Sequence, residues 1–325
     1  MSSASSQALV KVATCNLNQW AMDFKGNLER IQASIREAKA KGCTFRTGPE
    51  LEVTGYGCED FFHEQDTFMH AWDSLATILK SDLTDDILTD IGMPVMHRNV
   101  AYNCRVICLN RKILGIRPKF YLANDGNYRE MRYFTPWYLE PDVPGFGKLQ
   151  ALTLPAHIKD VTGQAQVPIG IFAIEAADTA VGFETCEELF TPNAPNILFS
   201  LDGVEIIANG SGSHHQLRKL DYRIDLCKGA TSKAGGVYLY ANQKGCVPSR
   251  VRALVLSAVS RACAARTEIV DALSAASIPH ECAHVSRAHQ LHAPCVRALP
   301  GPARARLTQP HASTGARRDV RAGVA

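Results

Sequence analysis

Up to about residue 246, short apolar runs alternate with amphipathic stretches. Residues 10–17, Val-Lys-Val-Ala-Thr-Cys-Asn-Leu, predict a first, mostly buried strand. Leu28, Ile31, Ile35 and Ala38 recur at helical spacing and predict a helix over 27–41, with Gly42 as its stop. Phe62, Phe68, Trp72, Leu75 and Leu79 predict a second helix over 59–80. Strands follow over 87–96, 100–109 and 113–116, with a turn at Asn110-Arg111. The stretch 140–166, broken by Pro and Gly, predicts no firm element. Residues 169–173 and 179–183 read as a hairpin, 203–209 and 236–242 as further strands, and 216–232 as a helix. Helices interleaved with paired strands predict an α/β domain whose sheets are covered by helices. No internal repeat of fixed period is visible.

Three strand ends carry chemistry-bearing residues: Glu50 in Gly48-Pro49-Glu50, Lys119 in Arg117-Pro118-Lys119, and Cys186 in Glu184-Thr185-Cys186-Glu187-Glu188. Loops at strand ends are common seats of function. A cysteine where a strand gives way to an acidic helix start is a candidate nucleophile, because the helix N-terminus favours the thiolate. Taken singly, Cys186 also fits a buried core residue, Lys119 a solvated one and Glu50 a helix cap. Taken together, a base, an oxyanion-stabilising cation and a thiol are what thiol-dependent amide hydrolysis requires.

Composition narrows the class. The 325 residues are 46% hydrophobic and 21% charged, the balance of a globular protein, and charges interrupt every apolar run before membrane-spanning length. The small, polar opening residues lack the basic and apolar regions of a secretory signal, which makes the cytosol the expected compartment. Eleven cysteines without motif-like spacing fit reduced thiols, and no zinc-type pattern occurs. His214 and His215 are adjacent, so their side chains diverge, and no metal is expected there. Asn209-Gly210-Ser211 matches a glycosylation sequon at what reads as a buried strand end. No nucleic-acid or membrane partner is expected.

Charge is unevenly spread. From Val247 onward there are 11 Arg, no Lys, 4 acidic residues and no Phe, Trp or Tyr, whereas the preceding 246 residues hold 13 Lys. A boundary is therefore placed at 246, with 1–246 as the folded domain and 247–325 as an Arg/Ala-rich tail carrying a candidate helix over 251–273. The tail reads either as a basic segment for an acidic partner or, favoured by the loss of lysine, as a frame-shifted or mis-spliced end.

The residues around Glu50, Lys119 and Cys186 resemble the carbon–nitrogen hydrolase (nitrilase) superfamily. The runs 48–57, 91–99, 122–130 and 209–215 are similar, more closely, to the glutaminase domains of eukaryotic glutamine-dependent NAD⁺ synthetases. This resemblance spans 10–246 and implies a four-layer α-β-β-α sandwich, here expected to lack its last strands and to expose a sheet edge. It implies Glu50 as base, Lys119 as oxyanion stabiliser, Cys186 as nucleophile and Glu130 in support. Tyr56, Glu187, Ser213 and Arg218 become candidates for holding glutamine. The implied reaction is release of ammonia from glutamine for NAD⁺ synthesis, with no cofactor. ATP and Mg²⁺ belong to the ligase domain of such synthetases, whose Ser-Gly-Gly-x-Asp-Ser loop does not occur in this sequence, so NAD⁺ synthesis by this chain alone is not expected. The alternatives are a non-catalytic fragment that associates with full-length synthetase subunits or as a homo-oligomer, or an amidase for another small amide.

Overall fold

The computed structural model describes residues 9–138, 147–244, 252–259 and 295–298. β1 (Leu9–Asn16) leads into α1 (Phe24–Ala40), β2 (Phe45–Thr47) and α2 (Gln65–Lys80). A three-stranded meander follows, β3 (Leu88–His97), β4 (Val100–Leu109) and β5 (Lys112–Pro118). Its two turns, Arg98-Asn99 and Asn110-Arg111, have positive φ at both residues, the geometry that matches strand twist in tight hairpins. Then come α3 (Glu130–Tyr133), β6 (Gln150–Thr153), α4 (Ala156–Thr162), β7 (Gln166–Ile169), β8 (Phe172–Glu175) and β9 (Ala180–Thr185). The order closes with α5 (Pro195–Leu201), β10 (Ile206–Ser211), α6 (Lys219–Ser232), β11 (Val237–Asn242), β12 (Arg252–Val259) and β13 (Cys295–Ala298).

The strands form two sheets, ordered β12-β1-β2-β3-β4-β5-β7-β6 and β11-β10-β9-β8-β13. Alternation along each strand decides which residues face which layer. Val12, Phe45, Leu88, Ile107 and Leu109 of the first sheet meet Phe172, Ile174, Phe183, Ala208 and Leu239 of the second. On the opposite face of the first sheet, Ala13, Cys15, Ile91, Met93 and Val106 pack against Ile31 and Ile35 of α1 and Leu75 of α2. Each fully buried side chain of this size stabilises the fold by about 1.5–3 kcal/mol. On the outer side of the second sheet α5 lays Phe199 against Gly182 of β9, where a Cβ would overlap the ring. The result is the expected α-β-β-α sandwich. Among the described residues no helix is long and apolar enough to cross a membrane.

Several boundaries differ from expectation. α1 starts at Phe24 because the Asp23 side chain accepts the Gly26 N–H and caps it. The helix expected over 59–80 is a 3-10 turn, Glu59–His63, followed by α2, since Glu64 between them is extended. The run 169–173 is not one strand. Gly170, at φ +148°, carries the chain from β7 in the first sheet to β8 in the second. Within 140–166 the structure forms β6 and α4. A sheet edge was expected to lie open; the edge of β1 is paired antiparallel with β12 from Leu9↔Val259 to Asn16↔Arg252. Residues 252–259 are therefore strand where a helix was expected, because an open edge offers ladder partners that no isolated helix supplies. The rest of that expected helix, residue 251 and residues 260–273, lies outside the described residues.

Candidate active site

Glu50 sits in the loop after β2, and two buried arginines pin that loop. Arg105 reaches across from β4 to donate to the carbonyls of Gly48 (2.7 Å) and Pro49 (2.9 Å), while pairing with Asp90 at 2.7 Å. Arg46 pairs with Glu52 at 2.7 Å and donates to Ser34 of α1. Both pairs are fully buried and bidentate, which fixes geometry as much as it stabilises. The Glu50 carboxylate then accepts from Lys119 Nζ (2.6 Å) and Asn103 Nδ2 (2.7 Å) on one oxygen and from the Gly212 N–H (3.0 Å) on the other.

Lys119 follows β5, its backbone N–H held by the Asn103 carbonyl at 2.7 Å. Its ammonium also bonds Glu130 at 2.8 Å, and Glu130 accepts the Tyr56 hydroxyl at 2.6 Å. Burial alone would lower the Lys119 pKa, but Glu130 and Glu50 outweigh it and the ammonium is held. Glu130 is pushed up to about 7 by burial against the pull of Lys119, with Glu50 adding to the rise.

Cys186 opens a five-residue 3-10 turn directly after β9 and carries a φ of +40°, a backbone that side-chain-bearing residues rarely adopt. The turn is anchored by Glu188, whose carboxylate accepts from Thr185 N (2.7 Å), Phe120 N (2.5 Å) and the Arg117 guanidinium (2.6 Å). One buried carboxylate thus ties the segment of Cys186 to the segment of Lys119. The thiol, however, is not favoured as thiolate. Burial pushes its pKa up and Glu50 adds to the rise, while Lys119 opposes it. The helix that was expected to lower it is a single short turn, too small to offset desolvation.

At the mouth, Tyr56 meets Tyr128 (6.2 Å) and His214 (5.9 Å) edge-on, and Tyr128 stacks on His214 at 4.5 Å. Lys219 Nζ lies 5.4 Å from the Tyr128 ring centre. Glu187 is half-buried, and burial raises its pKa against the fields of Lys119 and Lys219. Ser213 is buried and accepts from Arg223 Nη2 at 2.9 Å. Of the residues expected here, Arg218 does not join. It is exposed, at φ +64° just before α6, and the rotation of that helix brings Lys219 and Arg223 inward instead. Among the described residues no group of three or more His, Cys, Asp or Glu is arranged to hold a metal ion.

Asn103, Tyr128, Glu188, Asn209, Lys219 and Arg223 were not singled out from sequence. Asn103 and Arg105 had a signal, being polar residues at the positions of β4 that alternate with its apolar ones. The others depend on contacts between elements.

A carbon–nitrogen hydrolase family model matches residues 11–278. The chain belongs to the carbon–nitrogen hydrolase family. This carbon–nitrogen hydrolase is 62% identical over 243 residues to a glutamine-dependent NAD(+) synthetase of Dictyostelium discoideum, a match covering 74% of this chain and 33% of that protein. With the Saccharomyces cerevisiae glutamine-dependent NAD(+) synthetase it shares 57% over 243 residues, 75% of this chain and 33% of the relative. The chain thus spans about a third of the length of the curated relatives it matches. Among solved structures, a glutamine-dependent NAD(+) synthetase from Cytophaga hutchinsonii superposes with a TM-score of 0.64 at 27% identity, over 78% of this chain and 39% of that one. An amidase of the nitrilase superfamily from Nesterenkonia has the same fold, with a TM-score of 0.53 at 14% identity over 76% of this chain and 82% of that one.

Proposed function

We propose that the chain is a glutamine amidohydrolase that releases ammonia through a Cys186 thioester. The observation that carries this reading is the buried Glu50–Lys119–Glu130 cluster beside Cys186, with Lys119 Nζ 2.6 Å from Glu50 and 2.8 Å from Glu130. Because Cys186 rests as a thiol, its proton must leave during attack, and Glu50 is the base that takes it. Sulfur adds to the side-chain carboxamide carbon of glutamine. The oxygen that gains charge is stabilised by the Lys119 ammonium, which its two carboxylates hold in place without reorganisation. Glu50 returns the proton to the nitrogen, ammonia leaves and a glutamyl thioester remains. Water, deprotonated by Glu50, adds to the thioester, and glutamate departs as Cys186 regains its proton.

The substrate's head group has partners at the mouth. Glu187 suits the α-ammonium, while Lys219 and Ser213, braced by Arg223, suit the α-carboxylate. Tyr56 and Tyr128 wall the apolar middle of the side chain. The names of the curated relatives support glutamine as substrate, and NAD⁺ synthesis as the use of the ammonia.

Glutamate release from glutamine by the full chain, compared with C186A, tests the reading. Release that C186A abolishes, with short aliphatic amides turned over more slowly, supports it. A folded protein releasing no more glutamate than C186A overturns it.

A further inference from the structure

A second polar chain runs behind the nucleophile, separate from Glu50 and Lys119. It begins at Glu184, two residues before Cys186 and fully buried. One carboxylate oxygen accepts the Asn196 N–H and the other accepts the hydroxyl of Tyr238 on β11. The Tyr238 oxygen accepts Nδ2–H of Asn209 on β10 at 3.0 Å. Asn209 Oδ1 accepts both the Cys186 N–H and the Ser211 hydroxyl, each at 3.0 Å.

The direction of every bond in this chain is set from one end. Burial pushes the Glu184 pKa up to about 7, and above that pH it is a carboxylate, which only accepts, so Tyr238 gives its single proton to Glu184. The phenol oxygen is then an acceptor, and Asn209 must turn its NH₂ toward it. That leaves the amide oxygen facing Cys186 and Ser211. The other amide orientation would set N–H against N–H at Cys186 and oxygen against oxygen at Tyr238, with Cys186, Asn209 and Ser211 buried and Tyr238 partly so. Cys186 is the residue at φ +40°, a conformation that persists only where surrounding groups hold it, and the Asn209 oxygen is the group that takes its N–H.

We propose that Glu184 is a positioning residue that acts through Tyr238 to fix the amide of Asn209, and with it the left-handed turn that presents Cys186. The activity assay for this rests on the glutaminase reading. The Asn209-Gly210-Ser211 sequence, which matches a glycosylation sequon, is here buried scaffolding of the nucleophile.

The isosteric change E184Q tests it. The new amide must still offer its oxygen to Asn196 N–H, so its NH₂ faces Tyr238. Tyr238 then turns its proton toward Asn209, and the amide can no longer serve both neighbours. E184Q is expected to lower kcat for glutamate release about 10–100-fold, with KM within about threefold, the signature of a misplaced reacting group. The second change N209D supplies acceptors at both ends, so E184Q/N209D is expected to recover about tenfold or more of the lost kcat, although N209D alone is impaired. Wild-type kcat in E184Q, or losses that add in the double variant, would overturn the proposal. Should the wild type release no glutamate, the glutaminase reading fails, and the positioning role is still tested by the rate of iodoacetamide alkylation at Cys186. The expected order is wild type, then E184Q/N209D, then E184Q; equal rates in all three would overturn it.

Discussion

The space between the two sheets has two ends of opposite character. At one end Phe45, Ile107, Phe172, Phe183 and Ala208 interlock without a polar atom among their side chains. At the other lie Arg105 and Asn103 of β4, Arg117 and Lys119 at the end of β5 and Cys186 just after β9, all buried. The apolar end needs only volume and shape, and tolerates any arrangement that fills it. The polar end is determined atom by atom, since a charge buried there is stable only with its partners in place. Glycines make room where the polar end is crowded, as at Gly210, where a Cβ would overlap the Arg105 guanidinium. A rigid apolar end thus acts as a foundation for a polar end in which groups of opposite charge are held ready.

Five changes would break or sharpen this contrast. The largest effect is expected for C186A, which should cut glutamate release by more than about 10³-fold while urea unfolding stays unchanged, because the thiol is the reacting atom. F183A at the apolar end should cost about 3–5 kcal/mol in urea unfolding and leave the KM of the folded enzyme unaltered. E188Q at the polar end should cost on both counts: urea stability falls because buried Arg117 loses its carboxylate, and kcat falls about tenfold because the segments of Lys119 and Cys186 lose the charged link between them.

The fourth effect appears on titration. Glu130, pushed up to about 7 by burial, is protonated at acid pH, which takes from Lys119 one of the two carboxylates that hold its ammonium in place for the oxyanion. The rate kcat/KM should therefore fall as pH drops through about 7, and E130Q should flatten that limb of the profile. The smallest effect is expected at the surface, where R132A removes an exposed pair with Asp60 and should leave the melting temperature and kcat unchanged.

Where local pattern was sufficient, the sequence was legible. The bounds of β4 and the Asn110-Arg111 turn follow from alternation and turn chemistry, and the motif segments around Glu50, Lys119 and Cys186 marked the three groups that the fold brings together. Legibility failed where an answer depends on what lies across a gap. Residues 169–173 are apolar throughout, so nothing in them reveals that Gly170 hands the chain from one sheet to the other. Arg218 and Lys219 are neighbours with the same charge, and only the rotation of α6 decides which one faces Tyr128. The edge of β1 gave no hint of the strand that covers it.

What the sequence determined by itself is the inventory: alternating strands, amphipathic helices and a thiol, an ammonium and carboxylates placed at strand ends. These depend on neighbours a few residues apart, and short-range physics fixes them. What only the tertiary structure decided is the state of that inventory. Cys186 is a thiol and not a thiolate, Glu130 titrates near neutrality, and Asn209 points its oxygen at the nucleophile's backbone. Each of these depends on burial and on partners brought from distant strands, and desolvation and hydrogen-bond direction have no value until the two sheets close over them.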